Sequence, residues 1–187
     1  MSHELNLPLR FKGLNIPEIS VLDLGCGTRS SAVSKQLRSM PFQHLVGVDA
    51  SEEYLDIVRR VPHAAYTDYI NYDVRVVDNI FKEPKHFDVA VILDVLEHFE
   101  KDHGEVFLTN LERLIRKRII IWMPFGNTEG FFSLQSGVTS AQDLETHKSS
   151  WYPEDLRKMG YSVEVFKAFH KHLNPPADAG WCIKDLT

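Results

Sequence analysis

The chain of 187 residues has few of the features that mark secreted or membrane-spanning proteins. It contains two cysteines, Cys26 and Cys182, and their separation matches no common zinc or disulfide pattern. No apolar run approaches the ~18 residues that a transmembrane helix needs. The first residues also lack the basic region and apolar stretch of a signal peptide. These absences predict a cytoplasmic protein without a membrane partner.

An excess of positive charge is also missing. The chain has 21 lysines and arginines against 26 acidic residues, which gives a net charge of −5. Nucleic-acid binding depends on the neutralisation of phosphates by cations, so no nucleic-acid partner is predicted. The one basic cluster is interpreted as cations in the last turn of a helix, where they interact favourably with the helix dipole: Arg113, Arg116, Lys117 and Arg118.

From residue 20 onward, short apolar runs alternate with amphipathic segments of helical length. Strands are predicted at residues 20–24, 44–48, 66–72, 87–93, 118–123, 161–166 and 181–186. Helices are predicted at 30–40, 51–60, 76–81, 104–117 and 153–159, with Val106 in the apolar stripe of the fourth. This alternation predicts one α/β domain over residues 1–187, a mostly parallel sheet with helices on both faces. In such sheets, ligands bind beyond the carboxyl ends of the strands.

A glycine-containing turn follows the first predicted strand, in the sequence DLGCGT over residues 23–28. Glycines there allow a sharp turn and a close approach of the backbone to a ligand. Asp49 ends the second strand, where a carboxylate can accept hydrogen bonds from ribose hydroxyls. Position 30, where a dinucleotide fingerprint has its third glycine, is Ser30. The pattern therefore favours an adenosyl ligand without a pyrophosphate over NAD.

Three segments in order, VLDLGCGT, LVGVDAS and FDVAVILDVLEHF, resemble the motif series of class I S-adenosylmethionine-dependent methyltransferases. The resemblance is good over about residues 20–125 and implies a seven-stranded Rossmann-like sheet whose last strand is antiparallel, between the fifth and sixth. It implies that S-adenosylmethionine is the cofactor and S-adenosylhomocysteine its product. The residues implied at the methionine and ribose moieties are Asp23, Gly25, Cys26, Gly27, Asp49 and Ala50. Thr28 and Arg29 stand where the family more often has a further glycine.

The same resemblance indicates how the rest of the cofactor is bound. Asp73 best matches the acid that contacts adenine, with Val74 against the ring, and Asp78 is the competing candidate. Asp94, at the end of the fourth strand, matches the position that faces the amino-acid end of the cofactor. The segment that follows Asp94 is not the Asn/Asp-Pro-Pro-Tyr/Phe sequence of methyltransferases that act on planar amino groups, which disfavours DNA adenine methylation.

Methyl transfer from a sulfonium is an in-line displacement, so alignment of the acceptor matters most and a base assists when the acceptor is a hydroxyl. His98, one helical turn beyond the fourth strand, is the first candidate base, with an ordering role as the alternative. Residues 124–150 are predicted to form an acceptor-side lid. In and after it, His147 is a second catalytic candidate, and Phe125 and Trp151 are predicted to line the acceptor pocket. The alternative for Trp151 is a core residue.

Three other histidines are possible metal ligands. His170 and His172 are close in sequence and His103 lies elsewhere, but their surroundings lack a third convincing ligand, so no metal is predicted. The function predicted is transfer of a methyl group to a small molecule at oxygen or nitrogen. Two alternatives stay open: a non-catalytic protein that binds an adenosyl ligand for regulation, and an NAD-dependent oxidoreductase.

Overall fold

A computed structural model describes residues 5–28, 31–60, 66–131, 142–171 and 175–186. The strands are β1 (Ser20–Leu24), β2 (His44–Asp49), β3 (Asp68–Asn71), β4 (Phe87–Leu93), β5 (Ile115–Phe125), β6 (Ser162–His170) and β7 (Ala177–Asp185). The α-helices are α1 (Ala32–Ser39), α2 (Glu52–Arg59), α3 (Lys101–Leu114), α4 (Gln142–Glu145) and α5 (Pro153–Lys158). Short 3₁₀ helices lie at Pro8–Phe11, Ile16–Glu18, Val74–Asn79 and Leu96–His98. No helix in these ranges is long and apolar enough to cross a membrane.

The seven strands form one sheet in the order β3-β2-β1-β4-β5-β7-β6. Neighbouring strands from β3 to β5 are parallel, and β7 runs antiparallel between β5 and β6. The predicted fold and the predicted place of the last strand are both confirmed. The strand order reverses at β1, which pairs with β2 on one side and β4 on the other, so a crevice opens at their carboxyl ends.

The sheet is buried on both faces because its central strands β1 and β4 are apolar apart from Ser20, Asp23 and Asp88. Alternate residues of β4 belong to two different cores: Ala90 and Ile92 face one, and Val89 and Val91 face the other. This is the continuous apolar run expected of a central parallel strand. Residues 5–19 also contribute to the second core, which contains Leu7, Phe11 and Ile19.

The boundary between α3 and β5 differs from the prediction. The helix ends at Leu114 and the strand begins at Ile115, which is fully buried and pairs with Phe87. The interpretation of the basic cluster as a helix end is therefore wrong for three of its four members. Arg116 and Lys117 both form ion pairs with Asp88, and Arg118 forms one with Asp185. Val106, predicted in the apolar stripe of this helix, is 60% exposed.

Candidate active site

The glycine turn after β1 has a backbone that requires glycine. Gly25 has a φ of +66°, and a Cβ there would lie 2.3 Å from Cγ2 of Val95. Gly27 has a φ of +52°. The amides of Gly25 and Cys26 donate to the carbonyl of Val48, at 2.9 and 3.1 Å, which ties the turn to the end of β2. Arg29 and Ser30, which the sequence analysis compared with glycine positions of known motifs, lie outside the described ranges.

Asp49 fixes this turn through its carboxylate. One oxygen accepts from the Gly27 amide at 2.7 Å, and the other accepts from the Ser51 amide at 2.9 Å. A carboxylate oxygen has two lone pairs and can accept more than one hydrogen bond. The side chain is buried except where it reaches the crevice. It is therefore able to bind a diol, as predicted for a ribose.

A cavity of about 960 Å³, part of it open to solvent, lies at the switch point. Most of the predicted cofactor residues and one catalytic candidate line it: Gly25, Cys26, Gly27, Asp49, Ala50, Asp73, Val74, Asp94 and His98. Further lining residues were not singled out from the sequence: Thr28, Ser31, Ser34, Tyr54, Arg75, Leu93, Val95, Phe99, Leu144, Glu145 and Lys148. Thr28, Leu93, Val95 and Phe99 lie within the three motif segments, and the other seven lie outside them.

Four predicted site residues are not among the residues that line this cavity: Asp23, Phe125, His147 and Trp151. Asp23 is buried and accepts a hydrogen bond from the hydroxyl of Tyr66. Phe125 is buried against Gly180 of β7. Trp151 is fully buried in the core, where its Nε1 donates to Oγ of Ser149 at 2.9 Å and to the carbonyl of Leu96 at 3.3 Å. The expected place of Phe125 and Trp151 in the pocket wall is corrected, because both rings fill core space beneath it.

The lining of the cavity distinguishes the two acids that were predicted as candidates for the adenine contact. Asp73 and Val74 line the cavity, whereas Asp78 does not. Asp73 is also the N-cap of the 3₁₀ helix Val74–Asn79. Its carboxylate accepts a forked pair of hydrogen bonds from Arg75 at 2.6 to 3.0 Å, which lowers the pKa of Asp73. Position therefore favours Asp73 over Asp78.

Acidic side chains gather in the middle of the cavity. Asp94 follows β4 with a φ of +54°, a conformation that is strained for a residue with a side chain. Burial, followed by repulsion from Glu145, raises the pKa of Asp94. Glu145 accepts from the hydroxyl of Tyr54 at 2.8 Å, and burial raises the pKa of Glu145 as well. Together with Asp49, these acids make the cavity complementary to a ligand that carries positive charge.

The two catalytic candidates are in contact: His98 ends the 3₁₀ helix Leu96–His98, and His147 follows α4. The rings of His98 and His147 are edge to face, with centroids 5.0 Å apart. Burial lowers the pKa of both imidazoles, to about 4 for His147, so both rings are neutral near pH 7. His98 lines the cavity, and His147 is not among its lining residues.

A third residue completes this group and was missed by the sequence analysis. Ligand-type atoms of Glu97, His98 and His147 all lie within 4.8 Å of one another. The amides of Lys148 and Ser149 donate to the Glu97 carbonyl, at 2.7 and 3.1 Å, and so bring His147 to the end of β4. The sequence signal was the acid beside His98, but nothing in the sequence placed His147 near it.

Comparison with known proteins places these features in a family. Residues 21–118, just over half of the chain, match the family described as "Methyltransferase domain". No curated protein sequence matches the chain.

Three solved structures illustrate the structural similarity. A 1,6-didemethyltoxoflavin-N1-methyltransferase from Burkholderia thailandensis, with bound 1,6-didemethyltoxoflavin and S-adenosylhomocysteine, has a TM-score of 0.64 at 16% identity over 96% of this chain and 76% of that one. A SAM-dependent methyltransferase from Archaeoglobus fulgidus has a TM-score of 0.60 at 17% identity over 95% and 89%. Magnesium protoporphyrin IX methyltransferase from Synechocystis PCC 6803, with bound S-adenosylmethionine, has a TM-score of 0.56 at 16% identity over 91% and 72%.

At these identities the structural similarity establishes the fold, and the family match establishes membership. The cavity is compatible with the cofactor: Gly25 leaves no room for a side chain against Val95, Asp49 presents its carboxylate at the crevice, and Asp94 and Glu145 are acidic side chains in the wall. The chain therefore belongs to the class I S-adenosylmethionine-dependent methyltransferases.

Proposed function

We propose that the protein transfers the methyl group of S-adenosylmethionine to an oxygen or nitrogen atom of a small molecule. The observation that carries the proposal is the cavity at the carboxyl ends of β1, β2 and β4. Its wall combines the glycine turn, the carboxylate of Asp49, which accepts hydrogen bonds from two backbone amides, and the acidic side chains of Asp94 and Glu145. The cofactor supplies a methyl group activated by its bond to a positively charged sulfur.

The residues divide the cofactor among them according to their place in the cavity. Gly25 and Gly27 would hold the methionine moiety, Asp49 the ribose and Val74 the adenine. Asp73 would accept from the adenine amino group while Arg75 holds its carboxylate in place. Asp23 would act indirectly by fixing the end of β1 through Tyr66.

His98 is the side chain best placed to act on the acceptor. It is in the cavity wall, and its Nδ1 lies 3.3 Å from the carbonyl oxygen of Thr146. A carbonyl oxygen can only accept, so Nδ1 is the donor and the neutral ring has its lone pair on Nε2. This nitrogen can orient an acceptor hydroxyl or receive its proton. The lowered pKa makes it a weak base, which favours positioning as its larger contribution.

The acceptor side is proposed to be closed by residues 124–150 of a single domain that spans residues 1–187. Phe125 belongs to β5, and residues 142–150 contribute Leu144, Glu145 and Lys148 to the cavity wall. Residues 132–141, which include Phe132, are outside the described ranges. A cover of this length suits a small acceptor, and two of the structural neighbours are named for small-molecule substrates, a toxoflavin precursor and a magnesium porphyrin.

The test begins with cofactor binding. The purified protein is titrated with S-adenosylmethionine, S-adenosylhomocysteine and NAD(H) in parallel, by calorimetry and by thermal melting. We expect both adenosyl-sulfur compounds, and not NAD(H), to raise the melting temperature by mass action. Stabilisation by NAD(H) alone would overturn the proposal.

Turnover is tested separately with radiolabelled methyl donor and a panel of small hydroxyl and amine acceptors. We expect at least one acceptor to become labelled and S-adenosylhomocysteine to form in equal amount. Tight cofactor binding with no labelled acceptor across the panel would favour the non-catalytic alternative.

A further inference from the structure

Glu97, a buried acid, precedes His98, which lines the cavity. Glu97 is 1% exposed, and neither of its carboxylate oxygens has a hydrogen-bond partner among the described residues. A buried carboxylate in this state is strongly unfavourable, because it has lost its hydration and gained nothing in exchange. Such a group needs a physical explanation, and a bound ion is one of the recognised explanations.

Two imidazole rings converge on the same place. Nδ1 of His147 is buried and has no hydrogen-bond partner in the described parts of the chain. The ring instead contacts the backbone of Thr128, which leaves Nδ1 as the available lone pair. The His98 ring contacts the backbone of both Thr146 and Asp94, and with the proton on Nδ1, which faces the Thr146 carbonyl at 3.3 Å, the lone pair is on Nε2. A hydrogen bond from the second ring nitrogen to a carbonyl is the usual way in which a protein orients a metal-binding histidine.

We propose that Glu97, His98 and His147 bind a divalent transition-metal ion. Their ligand atoms lie within 4.8 Å of one another. Ligands of one ion are roughly 3 to 4 Å apart when the metal–ligand bonds are about 2.1 Å long, so small rotations of the side chains complete the site. Two imidazole nitrogens with one carboxylate suit Zn²⁺, Mn²⁺ or Co²⁺ better than Mg²⁺, which prefers oxygen ligands.

This proposed metal site does not include the histidines that the sequence analysis considered as metal ligands. The rejected group consisted of His103, His170 and His172, of which the last lies outside the described residues. His103 is exposed on α3 and is not part of the cluster. The proposed ligands come from the helix that follows β4 and from the segment that follows α4, and they meet through the hydrogen bonds of Lys148 and Ser149 to the Glu97 carbonyl.

The ion has a consequence for the acceptor, which rests on the proposed function. Three protein ligands leave at least one coordination position for another molecule, as in catalytic metal sites. His98 belongs both to the cluster and to the cavity wall, so the ion lies at the cavity. An acceptor that offers an oxygen atom to the metal would be held there. Of the oxygen and nitrogen acceptors proposed above, the metal ion therefore favours compounds with a hydroxyl or carboxyl group.

The experiment measures metal binding without any cofactor. Chelator-treated full-length protein is titrated with Mn²⁺, Co²⁺ and Zn²⁺, and bound metal is counted after desalting. We expect one ion per chain, a higher melting temperature with metal, and a change in the visible spectrum of Co²⁺ when imidazole replaces water. The variants are Glu97→Gln, His147→Gln and, as a matched control, His103→Ala at the exposed histidine of α3.

Both cluster variants are expected to lose at least about 100-fold in metal affinity, more than removal of an outer-shell partner typically costs. The His103→Ala control is expected to bind metal like the wild type. Without metal, Glu97→Gln is expected to melt at the same temperature as the wild type or higher, because the amide has nearly the size of the carboxyl group and never carries a charge in the buried position. His147→Gln places an amide near the position of Nε2 and removes Nδ1, the proposed ligand atom.

The proposal is overturned if none of the three metals binds the wild type at a ratio of one, or if the two cluster variants bind as tightly as the control. Should one variant fail to fold, the other variant and the wild-type titration still decide. S-adenosylhomocysteine binding is measured on the same samples. A protein that binds this compound but no metal would overturn the metal site and leave the proposed function intact.

Discussion

Buried acids lie at both ends of the parallel strands, and the protein surrounds them differently. At the amino end, Asp88 of β4 accepts from the amide and hydroxyl of Ser20 at 3.0 and 3.1 Å. It also forms ion pairs with Arg116 and Lys117 at 2.8 and 3.0 Å. At the carboxyl end, Glu97 is equally buried and has no partner among the residues described.

The ionisation of these acids differs accordingly. Burial by itself would raise the pKa of Asp88, but the hydrogen bonds from Ser20, Lys117 and Arg116 outweigh it and lower the pKa to about 2. Burial dominates at Glu97, where the charge of Asp94 adds to it, and the pKa of Glu97 is raised well above its usual value. An acid with saturated lone pairs stabilises the fold, whereas an acid left unpaired is available to a ligand.

The largest effect is expected at a third acid, Asp49, which accepts hydrogen bonds from the protein and is also proposed to bind the cofactor. Asp49→Ala is expected to weaken S-adenosylhomocysteine binding about 100-fold, or ~2.7 kcal/mol, because the ribose hydroxyls and the Gly27 amide lose their acceptor. Calorimetric titration measures the change. Asp88→Asn is the control at the other end of the sheet, and its affinity is expected to be unchanged. An Asp49→Ala protein that folds and binds within about threefold of the wild type would contradict the assignment.

Removal of the acid at the amino end should affect stability instead of binding. Asp88→Asn is expected to lower the free energy of unfolding by about 2 kcal/mol, less than for a fully buried pair because Arg116 and Lys117 are half exposed. Denaturant unfolding at pH 7 measures it.

The effect should also depend on pH. The folded pKa of Asp88 lies below the ordinary value of 3.8, so its stabilisation is present above about pH 4 and is lost as the pH falls towards 2. The difference in unfolding free energy between wild type and variant should therefore shrink over that range. A constant difference from pH 7 to pH 2 would show that the charge of Asp88 is not what stabilises the fold.

The smallest effect is expected for one of the two cations that contact Asp88. Lys117→Ala should lower the free energy of unfolding by less than about 1 kcal/mol, because the lysine is 43% exposed and Arg116 still pairs with Asp88. Chemical denaturation beside Asp88→Asn measures the ratio of the two effects. Equal losses in both variants would mean that Lys117 carries the whole interaction.

Sequence patterns identified the parts of the fold whose cause is local. The apolar run of β4 and the glycine turn after β1 were placed correctly because each depends on a few adjacent residues. The border between α3 and β5 was misplaced, since Arg116 and Lys117 are compatible with either element. The decision came from Asp88, which lies on the neighbouring strand and pairs with both.

The sequence by itself determined the family, the cofactor and the acids that end the strands, because these depend on short motifs in a fixed order. Tertiary structure decided which side chains reach the cavity. Trp151 and His147 are close in sequence, yet one fills the core and the other approaches Glu97. Whether a buried carboxylate is saturated, like Asp88, or unpaired, like Glu97, depends on residues distant in the chain, and that determines its role.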